Sequence, residues 1–127
     1  MVYREIKTFK DLKVWKRSHE LVLLVYKLSN KFPDNERYGL TSQIRRATLS
    51  IASNIVEGFA RRAVRDSLKF YVYSLASLEE VKYQGLVAKD LNYMNVVEYI
   101  EFIKCCDEVG KMLNGWMSAQ KVNCGLL

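Results

Sequence analysis

Apolar side chains return along this chain at alternating steps of three and four residues, and that rhythm, interrupted at three places, predicts four helices. In the first, Leu12, Trp15, His19, Val22, Tyr26 and Ser29 form one track, beside a second of Val14, Leu21, Val25, Leu28 and Phe32. Two adjacent tracks make a wide buried face. Thr8 is placed to cap the start, with Asp11 in the first turn. Pro33 stops the run, because its ring steers the preceding residue out of the helical region and it has no N–H to donate.

The second helix is expected to start with Asp34 or Asn35 as its cap and to bury Leu40, Ile44, Ala47, Ile51, Ile55 and Phe59. Thr48, Ser50 and Ser53 are small enough to let another helix come close, and Gly58 lies near the end. A basic linker, Arg61-Arg62-Ala63-Val64-Arg65, leads to a third helix opened by Asp66 or Ser67 and lined by Leu68, Tyr71, Leu75 and Leu78. Asn95 and Glu98 have the spacing of a capping box for the fourth, where Tyr99, Phe102 or Ile103, Cys106, Gly110, Leu113 and Trp116 or Met117 recur. The segments fall at about 9–31, 36–60, 66–91 and 96–118. Joined by short links, they predict an all-α fold, a single domain over residues 1–127 built as an up-and-down antiparallel four-helix bundle.

Composition agrees with that class. The 127 residues include one proline and six glycines, too few punctuating residues for a sheet-and-turn architecture. No stretch has the apolar length of a membrane span, and the charged start MVYREIKTFKDLKVW lacks the apolar run of a signal peptide, so the expected setting is cytoplasmic. The cysteines, Cys105, Cys106 and Cys124, are odd in number and two are adjacent, which offers neither a disulfide framework nor metal-ligand spacing.

Charge changes the picture more. The net +6 is concentrated early, with +5 in residues 1–31, +2 in 32–66, balance in 67–94 and −1 in 95–127. Such a field favours an acidic partner, RNA or DNA above all. Lys10, Lys13 and Arg17 on the first helix, Arg45 on the second, and Arg61, Arg62 and Arg65 beyond it are the candidate phosphate contacts. Arg45 and Arg46 point about 100° apart on a helix, so one can meet solvent while the other joins a structural network. Solvated faces and internal ion pairs are the competing reading of all these residues.

A reaction centre is harder to find. His19 is the one histidine, and Lys16 stands where a bundle metal site would need the glutamate of a Glu-x-x-His element. Glu57, Glu79 and Glu80 suit interhelical pairs, with a paired-carboxylate hydrolase as the remaining enzymatic alternative. Gly39 and Gly58 stand alone, without the Lys-Ser or Lys-Thr of a phosphate loop. The chain therefore reads as a supplier of surfaces, with no catalytic residue, metal, cofactor, small-molecule substrate or membrane contact expected. Apolar width in LVLLVYKL, residues 21–28, exceeds what one bundle buries and predicts self-association.

One stretch carries a resemblance: Gln43-Ile44-Arg45-Arg46-Ala47, Ser50-Ile51, Asn54-Ile55 and Glu57-Gly58, then Arg61. With Phe9, Asp11-Leu12, Val14-Trp15, Glu20-Leu21, Tyr26, Phe32-Pro33, Glu36 and Tyr38-Gly39-Leu40-Thr41 upstream, it resembles the bacterial family named for proteins encoded in intervening sequences of 23S ribosomal RNA genes. Phe70, Ser77-Leu78-Glu79-Glu80 and Leu91 to Tyr93 extend the match, which covers most of residues 9–117. The resemblance implies a four-helix bundle assembled as a homopentamer. It also implies a fold related to the accessory protein of diversity-generating retroelements, where a basic ring works with a reverse transcriptase and nucleic acid. It supplies no catalytic set. On it, Gln43, Arg46, Asn54 and Glu57 are expected to form a structural network between helices or subunits. Ala52 stands where the family often has proline, so a kink in helix two is expected to be weak, and Ala76 replaces a common glycine. The expected function is a non-enzymatic homo-oligomeric scaffold that binds RNA or a ribonucleoprotein through a basic surface; the alternative is a structural or protein-binding oligomer without nucleic acid.

Overall fold

The computed structural model describes residues 5–125. A 3-10 turn over Phe9–Asp11 leads into α1 (Lys13–Ser29), a second over Asp34–Glu36 into α2 (Leu40–Ala60), and α3 (Val64–Asp90) and α4 (Val96–Asn123) follow. No strand occurs among the described residues. Each helix runs against its predecessor, and α1 packs on α2 and α4 while α3 packs on the same two, the square of an up-and-down four-helix bundle.

The expected Asn95–Glu98 capping box is formed, and the expected Thr8 cap forms a second box with Asp11. The Thr8 hydroxyl accepts the Lys10 N–H at 3.2 Å while an Asp11 carboxylate oxygen accepts the N–H groups of Lys7 and Thr8. Asn95 Oδ1 accepts the Glu98 N–H at 2.8 Å and Glu98 returns the bond at 2.9 Å. Elsewhere the termini differ from expectation. The residues from Phe9 make only a 3-10 turn, because Leu12 is extended and α1 starts after it. Neither Asp34 nor Asn35 caps α2; the Glu36 side chain reaches forward and accepts the Leu40 N–H at 3.2 Å, past Gly39. Helix α3 begins at Val64, with Ala63 ahead of it, so Asp66 stands inside its first turn. Helix α4 runs on to Asn123.

Leu21, Ile51, Ile55, Val81, Phe102, Cys106, Val109 and Leu113 are fully buried along the axis. Burial pushes the Cys106 thiol up to about 12 and raises that of Cys105, whereas Cys124 is exposed. The α2–α3 seam is the tightest. Small residues permit it: the Ser50 and Ser77 hydroxyls bond across it at 2.9 Å, and the Ser74 hydroxyl donates to the Ile51 carbonyl at 2.8 Å. At its end the Tyr71 ring lies where a Cβ on Gly58 would be, 2.5 Å from Cε1. Gly85 does the same for Phe102 on the α3–α4 seam. Charged residues stitch the outside: Arg17 with Glu20 and Glu108, Lys82 with Glu79 and Asp107, and Lys31 with Glu98. The Lys31 ammonium and the Asn95 N–H hold the Glu98 carboxyl below the usual carboxylate range.

Two glycines within helices separate propensity from packing. Replacing Gly115, where an added Cβ meets nothing, with alanine is expected to stabilise the protein by about 0.5–1 kcal/mol. Gly85→Ala gains the same propensity but drives a methyl into the buried Phe102 ring, for a net loss of about 1–3 kcal/mol. Urea unfolding of the two variants checks the opposite signs.

Candidate nucleic-acid interface

The antiparallel order places the start of α1, the end of α2, the start of α3 and the end of α4 at one end of the bundle. The short α2–α3 turn therefore presents Arg61, Arg62 and Arg65 at the end where Lys10, Lys13 and Lys16 begin the first helix. Two hollows bring four of these groups, Lys13, Lys16, Arg61 and Arg62, into one neighbourhood. One, of about 500 Å³, is lined by Lys13 and Lys16 with Ile6, Leu12, Met112 and Trp116; the other, of about 270 Å³, by Arg61 and Arg62 with Tyr71, Gln120 and the same Ile6 and Trp116. Trp116 thus stands between the lysines of α1 and the arginines of the turn.

Local chemistry holds the turn open to solvent. Helix α2 ends at Ala60 because Arg61 is extended, and Gly58 lets the Tyr71 ring pack flush against that last turn. Tyr71 meets Trp116 edge-on, with ring centres 6.4 Å apart, and burial raises its phenol while the Trp116 indole opposes the shift. Arg61 lies over the Phe70 ring at 4.5 Å and pairs with Glu57 at 3.3 Å. Arg62 and Arg65 are exposed and make no ion pair among the described residues, and the same holds for Lys10, Lys13 and Lys16.

The remaining candidates are dispersed. Arg17 was grouped with the phosphate contacts, but its guanidinium is committed to Glu20 and Glu108 on the α1–α4 seam, and the Glu20 hydrogen bond holds it firmly charged. Arg45 lies at the opposite end. Its Nε donates to the Ser29 hydroxyl at 2.8 Å, one terminal nitrogen reaches the Tyr26 carbonyl at 3.4 Å, and its plane covers the Tyr26 ring at 4.6 Å. It thereby binds the last turn of α1, where a helix presents unpaired carbonyls and negative potential. Arg46, expected in the structural network, is exposed and makes no such bond among the described residues, so of the two neighbouring arginines Arg45 takes the internal place and Arg46 the exposed one. Of the other network residues, Asn54 Nδ2 donates to the Ser50 carbonyl at 2.8 Å and its hydroxyl at 3.0 Å, which links it to Ser77. Glu57 pairs with Arg61, just past the end of its own helix, and Gln43 is exposed.

Sequence reasoning missed Glu36 and Trp116. Glu36 accepts from the Tyr93 hydroxyl at 2.9 Å as well as from Leu40, tying the α1–α2 link to the α3–α4 link. The aromatic spacing offered Trp116 only as a core position. His19 is exposed and stacks on Trp15 with centres 5.1 Å apart. Among the described residues no group of histidine, cysteine, aspartate and glutamate has the arrangement of a metal site, and no helix is long and apolar enough to cross a membrane.

The contrast between the two arginines makes a simple forecast. Arg45→Ala is expected to destabilise the fold by about 1–2 kcal/mol, having lost a partly buried charge at a helix C-terminus and its aromatic contact. Arg46→Ala is expected to stay within about 0.5 kcal/mol of the parent. Thermal melts of both variants measure the difference.

Comparison with known proteins follows the fold. A family model described as 23S rRNA-intervening sequence protein matches residues 10–115. No curated protein matches the chain. Among solved structures, the chain is similar to a crystal structure of a protein with unknown function from the S23 ribosomal protein family of Bacteroides thetaiotaomicron. That structure is 20% identical, has a TM-score of 0.76, and aligns over 83% of this chain and 95% of its own. At that identity the likeness concerns the fold alone.

Proposed function

The chain belongs to the 23S rRNA-intervening sequence protein family, and on that premise we propose that it is a non-enzymatic scaffold that self-associates and holds RNA by its phosphates at the basic end of the bundle. One observation carries the reading. Arg62, Arg65, Lys10, Lys13 and Lys16 gather at one end and make no ion pair among the described residues, while Arg17 and Arg45, the other helix cations expected to meet phosphate, are held by internal partners. Unpaired guanidinium and ammonium groups at one surface are what phosphate contact requires, and each contact releases counterions from the nucleic acid.

Self-association rests on a separate face. Tyr26 on α1 touches Arg45 on α2. Three residues back from Tyr26 and four forward from Arg45, in antiparallel helices, Leu23 and Leu49 continue the same face at the same level. Leu23 is 57% exposed and Leu49 43%, an apolar strip that a second copy would cover in a closed ring, the pentamer that the family resemblance implies. The strip also favours a second reading, in which the oligomer binds protein and no nucleic acid.

Titration with structured RNA and with duplex DNA across a salt series, on protein sized by light scattering, separates the two. Binding is expected to weaken steeply with salt, and replacing Arg61, Arg62 and Arg65 with glutamine is expected to flatten the duplex slope by roughly 0.9 per lost contact. Arg46→Gln is expected to leave the slope unchanged. An intact oligomer that binds no nucleic acid at low salt contradicts the RNA reading and leaves the protein-binding one.

A further inference from the structure

We propose that the hollow between the start of α1 and the end of α4 seats one unpaired nucleobase, so that the basic end selects single-stranded over duplex nucleic acid; this rests on the phosphate-holding reading above and sharpens it. The hollow measures about 500 Å³, a volume typical of ligand pockets. Its walls are largely apolar side chains, Ile6, Leu12, Val14, Met112 and Trp116. Gly115 keeps the α4 wall low, since a Cβ added there meets nothing within 4 Å.

Three features converge on a base with its attached phosphates. Cationic rims flank the aromatic wall on both sides, Lys13 and Lys16 in this hollow and Arg61 and Arg62 in the one that shares Trp116. Trp116 lines the hollow and is half-buried, an aromatic wall of the kind on which unpaired bases stack. Glu5 and Asp11 also border the hollow, so a phosphate inside it would face carboxylates, a repulsion that an uncharged base does not meet. The phosphates belong on the rims and the base belongs inside. In a duplex the base faces are stacked away and only the rim contacts remain.

The test compares a short oligothymidylate, the matching abasic strand and a duplex of equal phosphate number, with the protein in the Trp15→Phe background so that Trp116 is the one indole reporting. The intact strand is expected to bind about tenfold more tightly than either of the others and alone to change the fluorescence. Gly115→Leu fills the hollow without altering charge and is expected to bring the intact strand down to the abasic level at an unchanged salt slope. Ala119→Leu, exposed on the same wall, repeats the test should Gly115→Leu fail to fold. Equal affinities for all three probes with unchanged fluorescence overturn the nucleobase seat and leave phosphate holding intact. Absence of binding to all three overturns phosphate holding, and the seat with it.

Discussion

The Tyr71 ring packs over Gly58, at the last turn of α2, and could not do so over any other residue, because even a methyl group would lie 2.5 Å from its Cε1. That single close approach fixes where α2 stops relative to α3, and so where the turn carrying Arg61, Arg62 and Arg65 emerges. The same ring meets Trp116 edge-on, which brings the end of α4 into register with the α2–α3 turn. A buried aromatic is worth more than the helix propensity lost at a glycine, so the seam gains from the arrangement. Small residues farther along, Ser50, Ser74 and Ser77, keep the same spacing and satisfy their hydroxyls within it.

Charge distribution follows from this frame more than from composition. Asp107, Glu108 and Glu98 on α4 reach across to Lys82, Arg17 and Lys31 and engage them, and Glu79 pairs with Lys82 along α3. Exposed pairs of this kind contribute little stability, about 0–1 kcal/mol each. Their larger consequence is electrostatic. They neutralise Arg17, Lys31 and Lys82, whereas Lys10, Lys13, Lys16, Arg62 and Arg65, at the end where α1 and α3 begin, make no ion pair among the described residues. Arg45 is withdrawn in the opposite direction, held by the last turn of α1.

Much of the fold was legible in the sequence. Periodicity located the four helices, the Thr8 cap was readable from its place before the first apolar track, and the Asn95–Glu98 box because its partners lie three residues apart. Features that depend on distant partners were not. Arg17 meets Glu108 only through tertiary packing, and no local pattern told Arg45 from Arg46, since both are polar and diverge on the helix. The start of α2 was misplaced because Glu36, within the preceding turn, does the capping that Asp34 or Asn35 was expected to do. The last turn of α4, past the expected end at about residue 118, is made of exposed or half-buried residues that carry no core-facing apolar period. Trp116 read as core by spacing, and only the meeting of three helix ends makes it a wall between two cationic groups.

The basic end is the centre of this account, and the most direct measurement is photo-crosslinking of the intact oligomer to single-stranded RNA, with the attached peptides identified by mass spectrometry. The account predicts crosslinks in the segments holding Lys10 to Lys16, Arg61 to Arg65 and Trp116. Crosslinks confined to the exposed ridge of Arg46 and Gln43, or to the far end around Tyr38 and Val97, would contradict it.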